Sequence, residues 1–157
     1  MALDCAIMYE KRVYIASDHR GFILKTALTD WLAEEGFEIR DLGPDTDATR
    51  VDASDYALKV VQALKTDTKA FGILICGSGQ AMTMTANRFQ HIRCALCLNG
   101  YMAQLARQHN NANILALGAE LTGTGLALDC AKIFLNTEAL GGRYAERCEI
   151  LTNLGGL

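Results

Sequence analysis

Residues 71–87 read FGILICGSGQAMTMTAN: a short apolar run, a thiol, a Gly-Ser-Gly turn and then helical spacing. The run over residues 71–76 predicts a buried strand that delivers Cys76 to the mouth of a glycine turn, with a helix N-terminus opening directly behind it. The first turn of a helix carries unpaired N–H donors and positive partial charge, which stabilise a thiolate or an oxyanion placed against them. The rest of the chain must supply substrate and partners for this thiol.

Working outward, the strand-then-helix unit recurs. Residues 13–16 form a short strand, and residues 21–35 carry Leu24, Ala27, Leu28, Trp31 and Leu32 at the spacing of one helix face, ended by Gly36. A second strand over residues 37–42 closes on the turn Gly43-Pro44-Asp45, and a helix starting near Ser54 presents Ala57, Val60, Val61 and Leu64. The helix behind Cys76 carries Met82, Thr85, Ala86 and Phe89. Residues 92–98 predict a fourth strand, followed by a helix with Met102, Leu105, Ala106 and His109 on one stripe. Residues 113–117 make a fifth, and helical patterns over residues 124–135 and 144–154 complete the chain. Strict alternation of strand and helix implies a parallel sheet covered on both faces. The expectation is a doubly wound, Rossmann-like α/β domain of five strands in the order 2-1-3-4-5.

Composition supports this reading. The 157 residues fit one domain, with residues 1–11 a short extension before the first strand; half are hydrophobic and the lone proline is Pro44. A net charge of −3 provides no basic surface for nucleic acid. The opening residues lack a signal-peptide pattern, and no segment approaches the roughly 20 apolar residues of a membrane span. Six cysteines, mostly inside apolar patterns, are reduced, cytoplasmic usage. Cys94 and Cys97 have metal-site spacing, but on a strand they point to opposite faces, so zinc is not expected.

In doubly wound folds ligands bind beyond the carboxyl ends of the strands, where strand order reverses. Ser17-Asp18-His19 after the first strand and Cys76-Gly77-Ser78-Gly79 after the third would share that crevice. A free cysteine taken alone is more often a small buried hydrophobe, but a strand end facing a glycine turn favours chemistry. Asp18 could instead cap the helix beginning near Gly21. His109 on an apolar stripe reads as a packed residue, and Arg143 and Arg147, four apart, can share a helix face and bind a dianion or stand as a solvated pair. Competing motifs fail by spacing. A cysteine phosphatase would need arginine where Met82 stands, and the glycine turn lacks the third glycine of a dinucleotide fingerprint.

At these residues the chain resembles the type B ribose-5-phosphate isomerase family, with its galactose-6-phosphate and allose-6-phosphate relatives. The matching segments are ASDHRGFILK, VDASDYA, GILICGSGQAMTMTANRFQHIRCALC, ARQHNNANILALGA and GGRYAERCEIL, from about residue 13 to 151. The resemblance implies an aldose–ketose isomerase of the pentose phosphate pathway, interconverting ribose 5-phosphate and ribulose 5-phosphate through a cis-enediolate without metal or organic cofactor. By position, Cys76 is the base at C1 and C2, Ser78 assists proton transfer between the sugar oxygens, and Asp18 and His109 open the ring. His19, Asn110, Arg143 and Arg147 hold the substrate and its phosphate. The N–H groups of Gly77, Ser78, Gly79, Gln80 and Ala81 form the oxyanion hole.

Some relatives have glutamate at Met82, many have arginine at Glu120, and the usual histidine of GGRH is Tyr144. The glycine usual at position 81 is alanine, and Ala53-Ser54 stands where an aromatic and proline are common. Because His109, Arg143 and Arg147 follow helices antiparallel to the strands, they should lie at the sheet edge opposite Cys76. This predicts a homodimer with shared sites, the C-terminal helix packing on the partner, with assembly into tetramers left open. Alternatives are a hexose-6-phosphate isomerase, a sugar-phosphate-binding subunit without turnover, and a nucleotide-binding module.

Overall fold

The computed structural model describes residues 9–154, and β3 (Phe71–Cys76) lies at its centre, buried along its whole length. Before it come β1 (Arg12–Ser17), α1 (Phe22–Glu34), β2 (Glu38–Asp41) and α2 (Ala53–Thr66). After it come α3 (Gln80–Ala86), β4 (Cys94–Leu96), α4 (Gly100–Asn110), β5 (Ile114–Gly118), α5 (Thr124–Asn136) and α6 (Arg143–Leu154). The expected extension over residues 1–11 falls mostly outside the described residues.

The strands form one parallel sheet in the order β2-β1-β3-β5-β4. The doubly wound architecture is as expected, but the far edge is not: β5, rather than β4, lies beside β3. The physical reason is burial. β5 (ILALG) is buried at all five positions and belongs inside a sheet covered on both faces, whereas β4 keeps three residues and suits an edge. The β1–β3 adjacency that brings the two polar clusters together is present.

Side chains alternate between two cores. Phe71, Ile73 and Ile75 face one, with α1, α4 and α5, while Leu74 and Cys76 face the other, with α2 and α3. Cys97 lies in the first core and Cys94 in the second, so the two thiols are separated by the sheet. The predicted face of α2 is buried as read, Ala57, Val60, Val61 and Leu64. α3 ends sooner than its pattern suggested, leaving Phe89 beyond its end and 37% exposed.

On α4 the buried face is rotated from the expected stripe. Ala103, Ala106 and Arg107 are buried while Met102 is 39% exposed. A charged side chain on the core face concealed the pattern. Its guanidinium lies 4.7 Å from the Tyr9 ring centre and 4.9 Å from that of Phe71, and donates to Asn111 Oδ1 at 2.8 Å and to the Thr137 carbonyl at 3.1 Å. Aromatic faces and carbonyls together replace the water this cation gives up.

A second buried cation fixes the β2–α2 loop. Lys25 Nζ, 2% exposed, donates to both carboxylate oxygens of Asp41, at 2.7 and 2.6 Å, and to the Pro44 carbonyl at 2.8 Å. Asp41 is half-exposed and can be rehydrated, but Lys25 cannot. Asp41→Asn is therefore expected to cost about 3 kcal/mol in urea unfolding, more than Lys25→Met, which leaves only a solvated carboxylate.

Candidate active site

The site is built where the loops leaving β1, β3 and β5 are stitched together through backbone. Asp18 N–H donates to the Ile75 carbonyl at 3.0 Å, Ala119 N–H to Cys76 at 2.9 Å and Glu120 N–H to Gly77 at 2.9 Å. Cys76, 4% exposed, ends β3, and Gly79 N–H donates to its Sγ at 3.1 Å. Folding the chain back so sharply requires a left-handed residue, and Gly79 has φ +75°. A Cβ there would meet Leu96 Cδ1 at 2.4 Å and the Leu117 carbonyl carbon at 3.1 Å, so glycine is required for conformation and for space.

Asp18 is buried and both caps a turn and faces the cleft. Its Oδ1 accepts from Gly21 N–H at 2.9 Å, ordering the turn into α1, and the residue lines the cleft beside Cys76. Gly21 permits that approach, since a Cβ would stand 2.5 Å from the Ile75 carbonyl oxygen. His19 Nδ1 accepts from Val51 N–H at 3.4 Å, which leaves Nε2 to carry the proton of a neutral ring. Ser78 Oγ accepts from Gln80 N–H at 3.3 Å. Two of the five expected oxyanion donors, on Gly79 and Gln80, are thus turned toward the Cys76 and Ser78 side chains.

These groups share an open cleft of about 880 Å³, lined by Asp18, His19, Cys76, Gly77, Ser78 and Ala81 among the residues expected there. His109, Asn110, Arg143 and Arg147 do not line it. They lie at the C-terminal end of α4 and along α6, a segment drawn in by Leu140 N–H donating to the Gln108 carbonyl at 2.9 Å. The His109 ring stacks on Tyr144 with centres 4.3 Å apart and planes 4° from parallel, and the guanidiniums of Arg143 and Arg147 lie 4.8 and 5.5 Å from the same ring. Tyr144 is thus the platform of a second cluster. Glu120 pairs with Arg20 at 2.7 Å on the cleft wall, and Ala53 opens α2 behind Asp52, whose Oδ1 accepts from Ser54 N–H at 2.8 Å.

Sequence reading missed Arg20, Arg50, Val51 and Asp52 as cleft residues. Arg20 stood inside a matched motif without a role, and Arg50 belongs to a loop whose path depends on contacts with α1.

The fold and this site define a class: a small doubly wound α/β domain whose switch point, between β1 and β3, holds a thiol, a hydroxyl, a carboxylate and an imidazole suited to proton transfer on a polar substrate. Residues 13–151 match the model of the Ribose/Galactose Isomerase family, and the chain belongs to that family. It is 39% identical over 142 residues to ribose-5-phosphate isomerase B of Escherichia coli, covering 90% of this chain and 95% of that one. Among solved structures, ribose-5-phosphate isomerase B of Clostridium thermocellum superposes with a TM-score of 0.88 at 41% identity, covering 91% of this chain and 96% of that one. The Mycoplasma genitalium enzyme, solved with bound ribulose 5-phosphate, superposes with a TM-score of 0.88 at 34% identity, covering 91% of this chain and 95% of its own.

Three of the other thiols are chemically quiet. Burial pushes Cys94 and Cys97 up to about 12 and Cys130 to about 11, so all three remain protonated near neutrality. In native protein at pH 7.5 (roughly neutral), iodoacetamide should modify Cys76 ahead of Cys94, Cys97 and Cys130. Peptide mass mapping checks this order, and earlier labelling of those three thiols contradicts it.

Proposed function

We propose that this protein interconverts ribose 5-phosphate and ribulose 5-phosphate through a cis-enediolate, as a step of pentose phosphate metabolism in the cytoplasm. The observation that carries the reading is the thiol of Cys76, held by Gly79 N–H at 3.1 Å, in one cleft with Ser78, Asp18 and His19. A thiolate beside an N–H donor is a base whose negative charge is stabilised when unprotonated.

The chemistry balances without an external oxidant or reductant. Asp18 takes the anomeric hydroxyl proton while His109 protonates the ring oxygen, and the open-chain aldose results. Cys76 removes the proton from C2, and the electron pair moves through C2–C1 onto O1, giving the enediolate. The turn's remaining N–H groups stabilise the developing oxyanion. Ser78 relays a proton from O2 to O1, and Cys76 returns its proton to C1. C1 is thereby reduced and C2 oxidised within one molecule.

His109, Arg143 and Arg147 belong to this cast as residues of a second copy. α4 runs antiparallel to β4 and β5, so its C-terminus lies at the end of the sheet opposite Cys76, and six residues of β3 span about 20 Å. A homodimer in which each chain completes the other's cleft removes that gap. The outer face of α6 supports it, with Ile150, Leu151 and Leu154 at 61%, 41% and 57% exposure.

A substrate panel of ribose, allose and galactose phosphates tests the reaction, with ribose 5-phosphate expected to be isomerised best. Cys76→Ala should lower turnover by about 10²–10⁴-fold with an unchanged thermal unfolding midpoint. Mixing inactive Cys76→Ala and His109→Ala proteins should restore activity as subunits exchange, because some hybrid clefts receive both intact residues. Exchange without recovery of activity contradicts the shared site.

A further inference from the structure

The cleft that holds Cys76 is lined by two guanidiniums, Arg20 and Arg50, and three carboxylates, Asp18, Asp52 and Glu120. Each carboxylate already has a partner in the fold. Asp18 accepts from Gly21 N–H, Asp52 from Ser54 N–H, and Glu120 from the Arg20 guanidinium at 2.7 Å. Arg50 alone among the described charged residues of the cleft has no hydrogen bond, ion pair or ring partner.

Its backbone is nevertheless held on both sides. Lys25 grips Asp41 and the Pro44 carbonyl at the start of the loop. At its end Val51 N–H rests on His19, and Asp52 caps α2. A guanidinium left unengaged next to an anchored backbone meets an anion with little further ordering of the chain.

Arg20 is in a different state. Its pair with Glu120 lies across Gly77, where a Cβ would meet Arg20 Cδ at 3.0 Å and Glu120 Oε1 at 3.2 Å. A positive charge one residue from Cys76 is thus largely neutralised for an incoming dianion. Both side chains are more than half exposed, so the pair contributes little to stability and can be altered without harm to the fold.

We propose that Arg50 is a phosphate contact that each chain brings to its own cleft beside His19, and that Glu120 limits the cleft's affinity for phosphate by engaging Arg20. The proposal rests on the sugar-phosphate reading above. It adds a charged contact from the chain that carries the thiol to His19 and to the residues expected from the partner, so the phosphate is gripped from both sides of the dimer. The binding is charge-assisted and, for a guanidinium, can be bidentate.

The test uses the full chain carrying Cys76→Ala, so that binding is measured without turnover, by calorimetric titration with ribose 5-phosphate and with inorganic phosphate. Adding Arg50→Ala should weaken ribose 5-phosphate binding by about tenfold, the scale of one charge-assisted contact, and Arg50→Lys should recover part of the loss. Glu120→Gln should tighten binding of both probes several-fold at low salt, and adding Arg20→Ala should cancel that gain. In protein with Cys76 intact, the loss of kcat/KM on Arg50→Ala should fall on KM rather than kcat. Undiminished binding by Arg50→Ala overturns the role of Arg50, and no tightening by Glu120→Gln overturns that of Glu120. If Cys76→Ala binds neither ribose 5-phosphate nor other sugar phosphates, the sugar-phosphate reading itself fails and this inference falls with it.

Discussion

The structure depends on three backbone hydrogen bonds that tie the loops after β1 and β5 to the end of β3: Asp18 to Ile75, Ala119 to Cys76 and Glu120 to Gly77. They satisfy carbonyls that would otherwise be orphaned where the strand leaves the sheet. The same bonds place a carboxylate, a thiol and a glycine turn from distant parts of the chain around one crevice. Close approach makes this possible, and glycines at Gly21, Gly79 and Gly118 are where it is closest. A Cβ on Gly118 would stand 2.8 Å from the Ser78 carbonyl. The cleft is therefore shaped by rigid strand ends and tight turns, the arrangement that holds reacting groups in place at small entropic cost.

Within that frame the cysteines divide by environment rather than by type. Cys94, Cys97 and Cys130 are buried among apolar side chains that hold them protonated, and they serve as small packing residues. Cys76 is equally shielded from bulk solvent, but it opens onto the cleft and receives an N–H at its sulfur. The two buried cations divide similarly. Arg107 closes a core beneath Tyr9 and Phe71, whereas Lys25 reaches out to Asp41 and Pro44 and so determines the path of a loop that ends at the cleft.

Three of the expected site residues outside the cleft form one cluster. His109, Tyr144, Arg143 and Arg147 gather at a single aromatic ring, and the i, i+4 spacing of the arginines puts both on the same face of α6. Such a cluster concentrates positive charge and an imidazole at the end of the sheet remote from the thiol.

What the sequence by itself determined is local and periodic. The strand-turn-helix unit around Cys76, the doubly wound class, the buried face of α2, the separation of Cys94 from Cys97 and the family motifs all follow from short-range spacing and residue type. Tertiary structure decided what depends on contacts between distant segments. It placed β5 inside and β4 at the edge, because burial on both faces favours the longer apolar strand. It rotated the buried face of α4, because aromatic rings from elsewhere accept the charge of Arg107. It also brought Arg50 and the Arg20–Glu120 pair to the cleft wall, through a loop fixed by Lys25 and a contact spanning 100 residues. No spacing rule encodes such a meeting, since an ion pair between remote residues exists only once the sheet has set where both strand ends lie.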